Sequence, residues 1–112
     1  MKKKQALDAF SALSQETRLD VFRLLVKMQP EAMPAGDIAR EVDVPPSTMS
    51  VHLAILSRAG LITSARRGRI VSYKADIDGI RDLLTFLVKD CCRGRPELCN
   101  SLIEAVLPAC CP

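Results

Sequence analysis

The sequence predicts a small α+β domain that is mainly helical and carries one β-hairpin. Apolar residues recur at helical spacing over most of the chain before Gly60, and after it they alternate as in strands. The length of 112 residues fits one domain with its own core, and dimerisation would bury further apolar surface.

Two helices are predicted before the first proline. The first is expected over Ala6–Leu13, and the second is expected to be capped by Ser14 and to end near Pro30. Their apolar residues predict two buried faces, formed by Ala6, Leu7, Phe10 and Leu13 and by Leu19, Phe22, Leu25 and Val26.

A short third helix is predicted over Asp37–Val42. The connector that follows, Asp43–Pro46, is short enough for a helix-turn-helix. The second helix of that motif then lies in Pro45–Gly60, where Pro46 suits a first helical turn and Gly60 suits the residue after the last turn.

This second helix has the composition of a helix that enters a DNA groove. Met49, Leu53 and Leu56 share one stripe and are expected to be buried. Small and polar residues occupy the opposite face and its flanks, namely Ser47, Thr48, Ser50, Val51, His52, Ala54 and Arg58. Because such side chains can approach base edges closely, we expect this face to bind DNA.

The next segment predicts a hairpin beside that helix. Leu61–Arg67 and Ile70–Ala75 read as strands joined by a tight turn at Gly68 and Arg69. A hairpin in this place is the wing of a winged helix-turn-helix, and its arginines Arg66, Arg67 and Arg69 are expected to hold phosphates or enter the minor groove.

The charge of the chain is concentrated in this region. Between Ser47 and Lys74 there are five basic residues and no acidic one, giving +5 where the whole chain carries only +3. A basic segment that coincides with the predicted DNA-binding helix favours a polyanionic partner over a general solubilising role.

A last helix is predicted over Ile77–Cys92. Its main stripe consists of Ile80, Leu84, Leu87, Val88 and Cys91, and Leu83 and Phe86 widen the apolar surface. This surface exceeds what one side of a small domain covers, so a homodimer through the first and last helices is expected. The predicted organisation is a DNA-binding and dimerisation domain over residues 1–92 and a cysteine-containing tail over residues 93–112.

No leader peptide or membrane span is recognisable, so a cytoplasmic protein is expected. Five cysteines in a reducing compartment are more typical of free thiols or metal ligands than of disulfides. All five lie within the last 22 residues, at Cys91, Cys92, Cys99, Cys110 and Cys111. Clustered thiols without histidine suit a soft, thiophilic ion.

The sequence resembles the ArsR/SmtB family, dimeric winged-helix repressors of bacteria that sense metals and arsenic. The resemblance rests on Leu13–Leu19, Pro46–Leu53, Arg58–Ile62 and the wing from Arg66 to Tyr73, and it covers about the first four-fifths of the chain. Val51 departs from the polar or basic residue that relatives often have there. The resemblance implies a repressor that needs no cofactor to bind operator DNA.

Members of this family sense their inducers at different sites. One known arsenic site uses two cysteines at the start of the helix before the turn, where this chain has Met33–Gly36. Zinc sensors use His and carboxylate ligands on the last helix, but the one histidine here is His52. A further subset binds arsenite through a vicinal cysteine pair and one later cysteine, and Cys91, Cys92 and Cys99 match that arrangement.

The resemblance therefore implies an inducer site for As(III), and for the similar Sb(III), with Cys110 and Cys111 as accessory thiols. Two alternatives keep the same scaffold. One is a thiol-oxidation switch, such as a Cys92–Cys99 disulfide, and the other is a zinc or cadmium sensor that recruits Cys110 or Cys111. An enzyme such as an arsenate reductase is disfavoured because no oxyanion-binding loop accompanies the cysteines.

Overall fold

The computed structural model describes residues 1–88, which form five helices and a three-stranded antiparallel sheet. The elements are α1 Lys3–Leu13, α2 Glu16–Met28, β1 Met33–Pro34, α3 Ala35–Val42, α4 Pro46–Arg58, β2 Ile62–Arg67, β3 Ile70–Ala75 and α5 Ile77–Val88. This is the predicted winged helix-turn-helix, with α3 and α4 as its two helices. None of the helices in this range has the length and apolar composition needed to cross a membrane.

The sheet contains one strand that the sequence did not predict. Its order is β1-β3-β2, and β1 pairs through Met33 with Tyr73 and through Pro34 with Ser72. Two residues are too few to show a strand alternation, and their partners lie far along the chain, so no local pattern indicates this pairing.

The buried face of α1 differs from the predicted one. Ala6, Ala9 and Ala12 are buried, whereas Leu7 is 60% exposed and Phe10 is also exposed. The prediction of Leu7 and Phe10 as core residues is therefore wrong. Because alanine is small, α1 can pack closely against α2 and α4, and its large side chains stay outside.

Helix α2 also differs from its prediction, both in the residue that caps its N-terminus and in the residues that it buries. The Gln15 side chain caps it by accepting the Arg18 backbone N–H at 2.8 Å, while the Ser14 hydroxyl donates to the Ser11 carbonyl. Val21, Phe22 and Leu25 form its buried face, and Leu19 and Val26, which were expected inside, are exposed.

The core lies where α2, α3, α4 and the sheet meet. Met49, Leu53 and Leu56 of α4 are buried as predicted, together with Leu25, Ile38 and Leu61. Helix α5 adds Leu83 to this core and leaves Leu84, Leu87 and Val88 exposed. Residues 89–112, including the predicted end of the last helix and the domain boundary at 92, lie outside the described range.

A close backbone contact joins the end of α4 to the start of α5. Gly60 follows α4 with φ of +77°, and its carbonyl oxygen lies so near Gly79 that a Cβ on Gly79 would overlap it. The Asp76 backbone N–H donates to the Leu61 carbonyl at 2.8 Å, and the Asp76 carboxylate accepts the Gly79 N–H at 3.0 Å. The position of α5 is thereby fixed relative to α4.

The side chain of Arg18 connects helices α1, α2 and α4. Arg18 on α2 donates from Nε to the Ala12 carbonyl of α1 at 2.7 Å, and its Nη1 lies 3.4 Å from Nδ1 of His52 on α4. Burial, and then the nearby Arg18 guanidinium, lower the pKa of His52 below its ordinary value of 6.5. His52 is therefore neutral at pH 7, and its Nδ1 accepts from Arg18.

This lowered pKa predicts a loss of stability in mild acid. Well above pH 6.5, His52 is neutral in folded and unfolded chains alike. As the pH falls from there toward the lower folded pKa, unfolded chains take up the proton first, so the free energy of unfolding decreases. Urea unfolding of the wild type and of His52→Gln between about pH 5 and pH 8 measures this, since glutamine is polar and does not titrate. The variant should lose less stability in acid, and parallel curves would contradict the lowered pKa of His52.

Candidate nucleic-acid interface

Helix α4 is held by its buried stripe, so its opposite side is presented outward. The helix begins directly after Pro45 and has Pro46 in its first turn, as predicted. Its first hydrogen bond runs from the Met49 N–H to the Pro45 carbonyl at 2.9 Å. With Met49, Leu53 and Leu56 in the core, rotation of α4 about its axis would expose apolar surface, so its orientation is fixed.

The outward side of α4 is a continuous surface of short side chains, which we call the reading face. It consists of Ser47, Thr48, Ser50, Val51 and Ala54, all of them exposed. Val51, near its centre, is 58% exposed. The Ser50 hydroxyl donates to the Pro46 carbonyl at 3.1 Å, so it is left to act as an acceptor. Short side chains let the helix backbone come close to a DNA groove.

The other two residues predicted on this face, His52 and Arg58, make contacts within the protein. His52 is partly buried and its Nδ1 points to Arg18, so this nitrogen supports the fold. Arg58 follows Ala54 by one turn on the same side of α4, about 16 Å from Ser47 along the helix axis at 1.5 Å per residue. Its Nε donates to the Ala54 carbonyl at 3.4 Å, and its side chain lines a cavity of about 390 Å³ beside Asp8 and Asp76.

The wing, residues 62–75, closes with a two-residue turn. Arg67 pairs with Ile70, and Gly68 has φ of +63° while Arg69 does not have a positive φ. Positive φ at the first central residue alone is the pattern of a type II′ turn, which favours glycine at that position. The turn places Arg69 at the outer end of the hairpin.

The strand register separates the two arginines before the turn. Arg66 pairs with Val71, and Arg67 pairs with Ile70. Since successive residues of a strand point to opposite faces, Arg66 shares the face of the buried Ile62, and Arg67 shares the outer face with Ile70. Ile70 is 57% exposed. The three wing arginines therefore do not form one surface.

The structure also identifies positioning residues that the sequence did not single out. Arg18 and Gly79 carry no DNA-binding signal of their own, because their roles depend on contacts with distant parts of the chain. Within residues 1–88 no group of three or more His, Cys, Asp or Glu side chains is arranged to hold a metal. The predicted ligands Cys91, Cys92 and Cys99, and the accessory Cys110 and Cys111, lie outside this range.

The chain is similar to known proteins that contain a helix-turn-helix. Residues 13–65 match the model of a helix-turn-helix domain family. YbzH of Bacillus subtilis, an uncharacterized HTH-type transcriptional regulator, is 32% identical over 95 residues, which is 74% of this chain and 95% of that protein. SdpR of the same organism, a transcriptional repressor, is 29% identical over 91 residues, 81% of this chain and 98% of that protein.

A solved structure shares the fold. Mb0332 of Mycobacterium bovis is a homodimeric winged helix-turn-helix DNA-binding domain from a possible ArsR-family regulator. It superimposes with a TM-score of 0.63 at 24% identity, over 76% of this chain and 77% of that one. The match to YbzH shows that the chain belongs to the HTH-type transcriptional regulators, and its winged helix-turn-helix is the fold of Mb0332, a possible ArsR-family regulator.

Proposed function

We propose that this regulator is an arsenite-responsive repressor that binds operator DNA as a homodimer and releases it when As(III) binds Cys91, Cys92 and Cys99. The observation that carries the DNA-binding part is the reading face of α4 next to a basic wing, in a segment without acidic residues. Such a surface suits a major groove with phosphates on its rim.

The reading face and the wing have different parts in this proposal. Ser47, Thr48, Ser50 and Val51 approach base edges in the major groove. Arg66, Arg67 and Arg69 contact phosphates or the adjacent minor groove, which contributes affinity that falls with salt. Arg58 and His52, which the sequence assigned to the same surface, are expected to contribute less to DNA binding. Arg58 contacts the Ala54 carbonyl, and His52 contacts Arg18.

The exposed apolar side chains support the homodimer. Leu7 and Phe10 on α1 and Leu84, Leu87 and Val88 on α5 are exposed, and α1 packs beside α5. An apolar surface of this kind is typical of a subunit interface. The homodimeric state of Mb0332 is consistent with this. A two-fold pair must set its two α4 helices about 34 Å apart to reach successive major grooves.

The inducer is inferred from the cysteines that follow α5. Trivalent arsenic takes three thiolates, so arsenous acid would exchange its three hydroxyl groups for cysteine sulfurs and release three water molecules. Arg93 and Arg95 lie between the vicinal pair and Cys99, and positive charge favours the thiolate form. The resemblance to the ArsR/SmtB family supports this inducer, because it implies arsenite sensors with this order of cysteines.

Coupling between the two sites would run through α5. A ligand at Cys91 and Cys92 acts on the sequence directly after the described part of α5, and the first turn of α5 is locked to the end of α4 by Gly60 and Gly79. A coupling free energy of about 1–3 kcal/mol would lower operator affinity about 5- to 150-fold.

The wing predicts a specific salt dependence. Removal of one arginine that binds a phosphate should reduce the slope of log affinity against log salt by about 1. Because Arg66 and Arg67 lie on opposite faces of the hairpin, Arg66→Ala and Arg67→Ala should reduce this slope by unequal amounts. Fluorescence anisotropy with a duplex selected by the protein from a random pool measures both slopes.

The matched control is Arg23→Ala, which removes the same charge from the exposed side of α2. Its slope should equal that of the wild type. Equal reductions by all three substitutions would show that only net charge matters, and would contradict a wing that contacts DNA.

The inducer site predicts that Cys91→Ser retains operator binding and loses the response to arsenite. Two remaining thiols bind As(III) more weakly than three, so arsenite should no longer lower affinity. Anisotropy of the preformed complex under reductant, titrated in parallel with arsenite, zinc and peroxide, measures the response.

The control variant is Cys110→Ser, which removes a thiol outside the proposed set and should still respond. A normal arsenite response in Cys91→Ser would overturn the ligand assignment. Release of the wild type by peroxide or zinc but not by arsenite would replace the arsenic sensor with one of the two alternatives on the same scaffold.

A further inference from the structure

The reading face lacks the side chains that usually identify purines. Between Pro46 and Ser57, α4 contains no Arg, Lys, Asn or Gln. These are the residues that form paired hydrogen bonds with guanine or adenine in the major groove. Arg58 lies in the last turn, donates to the carbonyl of its own helix and lines the cavity beside Asp8. Sequence recognition by α4 therefore depends on its short side chains.

Hydrogen bonding from these short side chains is limited as well. Ser50 donates its hydroxyl proton within the helix, to the Pro46 carbonyl. Ser47 and Thr48 lie in the first turn, at the end of the face, and a single hydroxyl can donate to or accept from any base. None of these groups distinguishes one base pair sharply from the others.

Val51 is the group on this face with a distinct chemical preference. It lies one turn after Ser47 and Thr48 and one turn before Ala54, and all four are exposed. Outside α1 and α5, Val51 and Ile70 are the most exposed large apolar side chains in residues 1–88. Binding of α4 in a groove would remove the Val51 methyl groups from water. The apolar group that a base presents in the major groove is the C5-methyl of thymine.

We propose that Val51 is a specificity-determining residue that packs against a thymine methyl in each operator half-site. The proposal rests on the proposed DNA binding and extends it, because it names the base that α4 recognises. An apolar contact of this kind discriminates against cytosine, which presents an amino group and no methyl, and against uracil, which differs from thymine by the methyl alone.

The test replaces thymine by deoxyuridine, one position at a time, in a duplex that the wild-type protein has selected from a random pool. Loss of a buried methyl should weaken binding about fourfold at one thymine per half-site, which corresponds to about one buried methyl group. Val51→Ala should bind the thymine and deoxyuridine duplexes equally. The coupling between protein and DNA substitutions isolates this one contact.

Two further variants keep the interpretation clear. Ser47→Ala changes the same face without touching Val51 and should retain the preference for thymine. Val51→Thr retains one methyl and should keep part of the preference. Circular dichroism and thermal unfolding check that each variant is folded.

Two results would overturn the proposal: no thymine whose methyl affects binding, or a methyl effect that is unchanged in Val51→Ala. If the reduced wild-type chain selects no duplex at all, the proposed DNA binding itself fails. That outcome is distinct from binding without a thymine preference.

Discussion

The contact between Gly60 and Gly79 is the constraint on which the arrangement of functional parts depends. It joins Gly60, two residues after the end of α4, to the first turn of α5, the helix that precedes the cysteines in the sequence. Any side chain at Gly79 would collide with backbone, and backbone cannot move aside as a flexible side chain does. A movement of α5 therefore cannot leave the end of α4 undisturbed, which is the coupling that the proposed release of DNA by an inducer requires.

The orientation of α4 is fixed by side-chain contacts. Arg18 links α1 and α2 to His52 of α4, and the apolar stripe of α4 lies in the core. The reading face is consequently presented by a rigid element, while its own side chains are short and exposed. In the proposed complex, affinity for DNA comes mainly from the wing and the helix backbone, and discrimination among bases comes from few contacts. This division gives Val51 its importance in the account.

The sequence predicted those parts whose signals are local. Helix α4, its proline start, its stop at Gly60 and the Gly68–Arg69 turn each follow from residues within one turn or one hairpin. Parts that depend on distant packing were missed. Helix α1 buries its alanines and exposes Leu7. The small alanines let α1 pack closely against α2 and α4, and Leu7 belongs to the exposed apolar surface that α1 shares with α5. The pairing of β1 and the role of Arg18 likewise have no local signature.

The central claim is that two chains, paired through the exposed side of α1 and α5, hold one operator with two reading helices. Sedimentation velocity of the reduced 112-residue chain with a fluorescent duplex it has selected tests this most directly. The account predicts a complex of two chains per duplex, with no complex of one chain at any protein concentration. Stable binding of a single chain to the duplex, or no co-sedimentation, would contradict it.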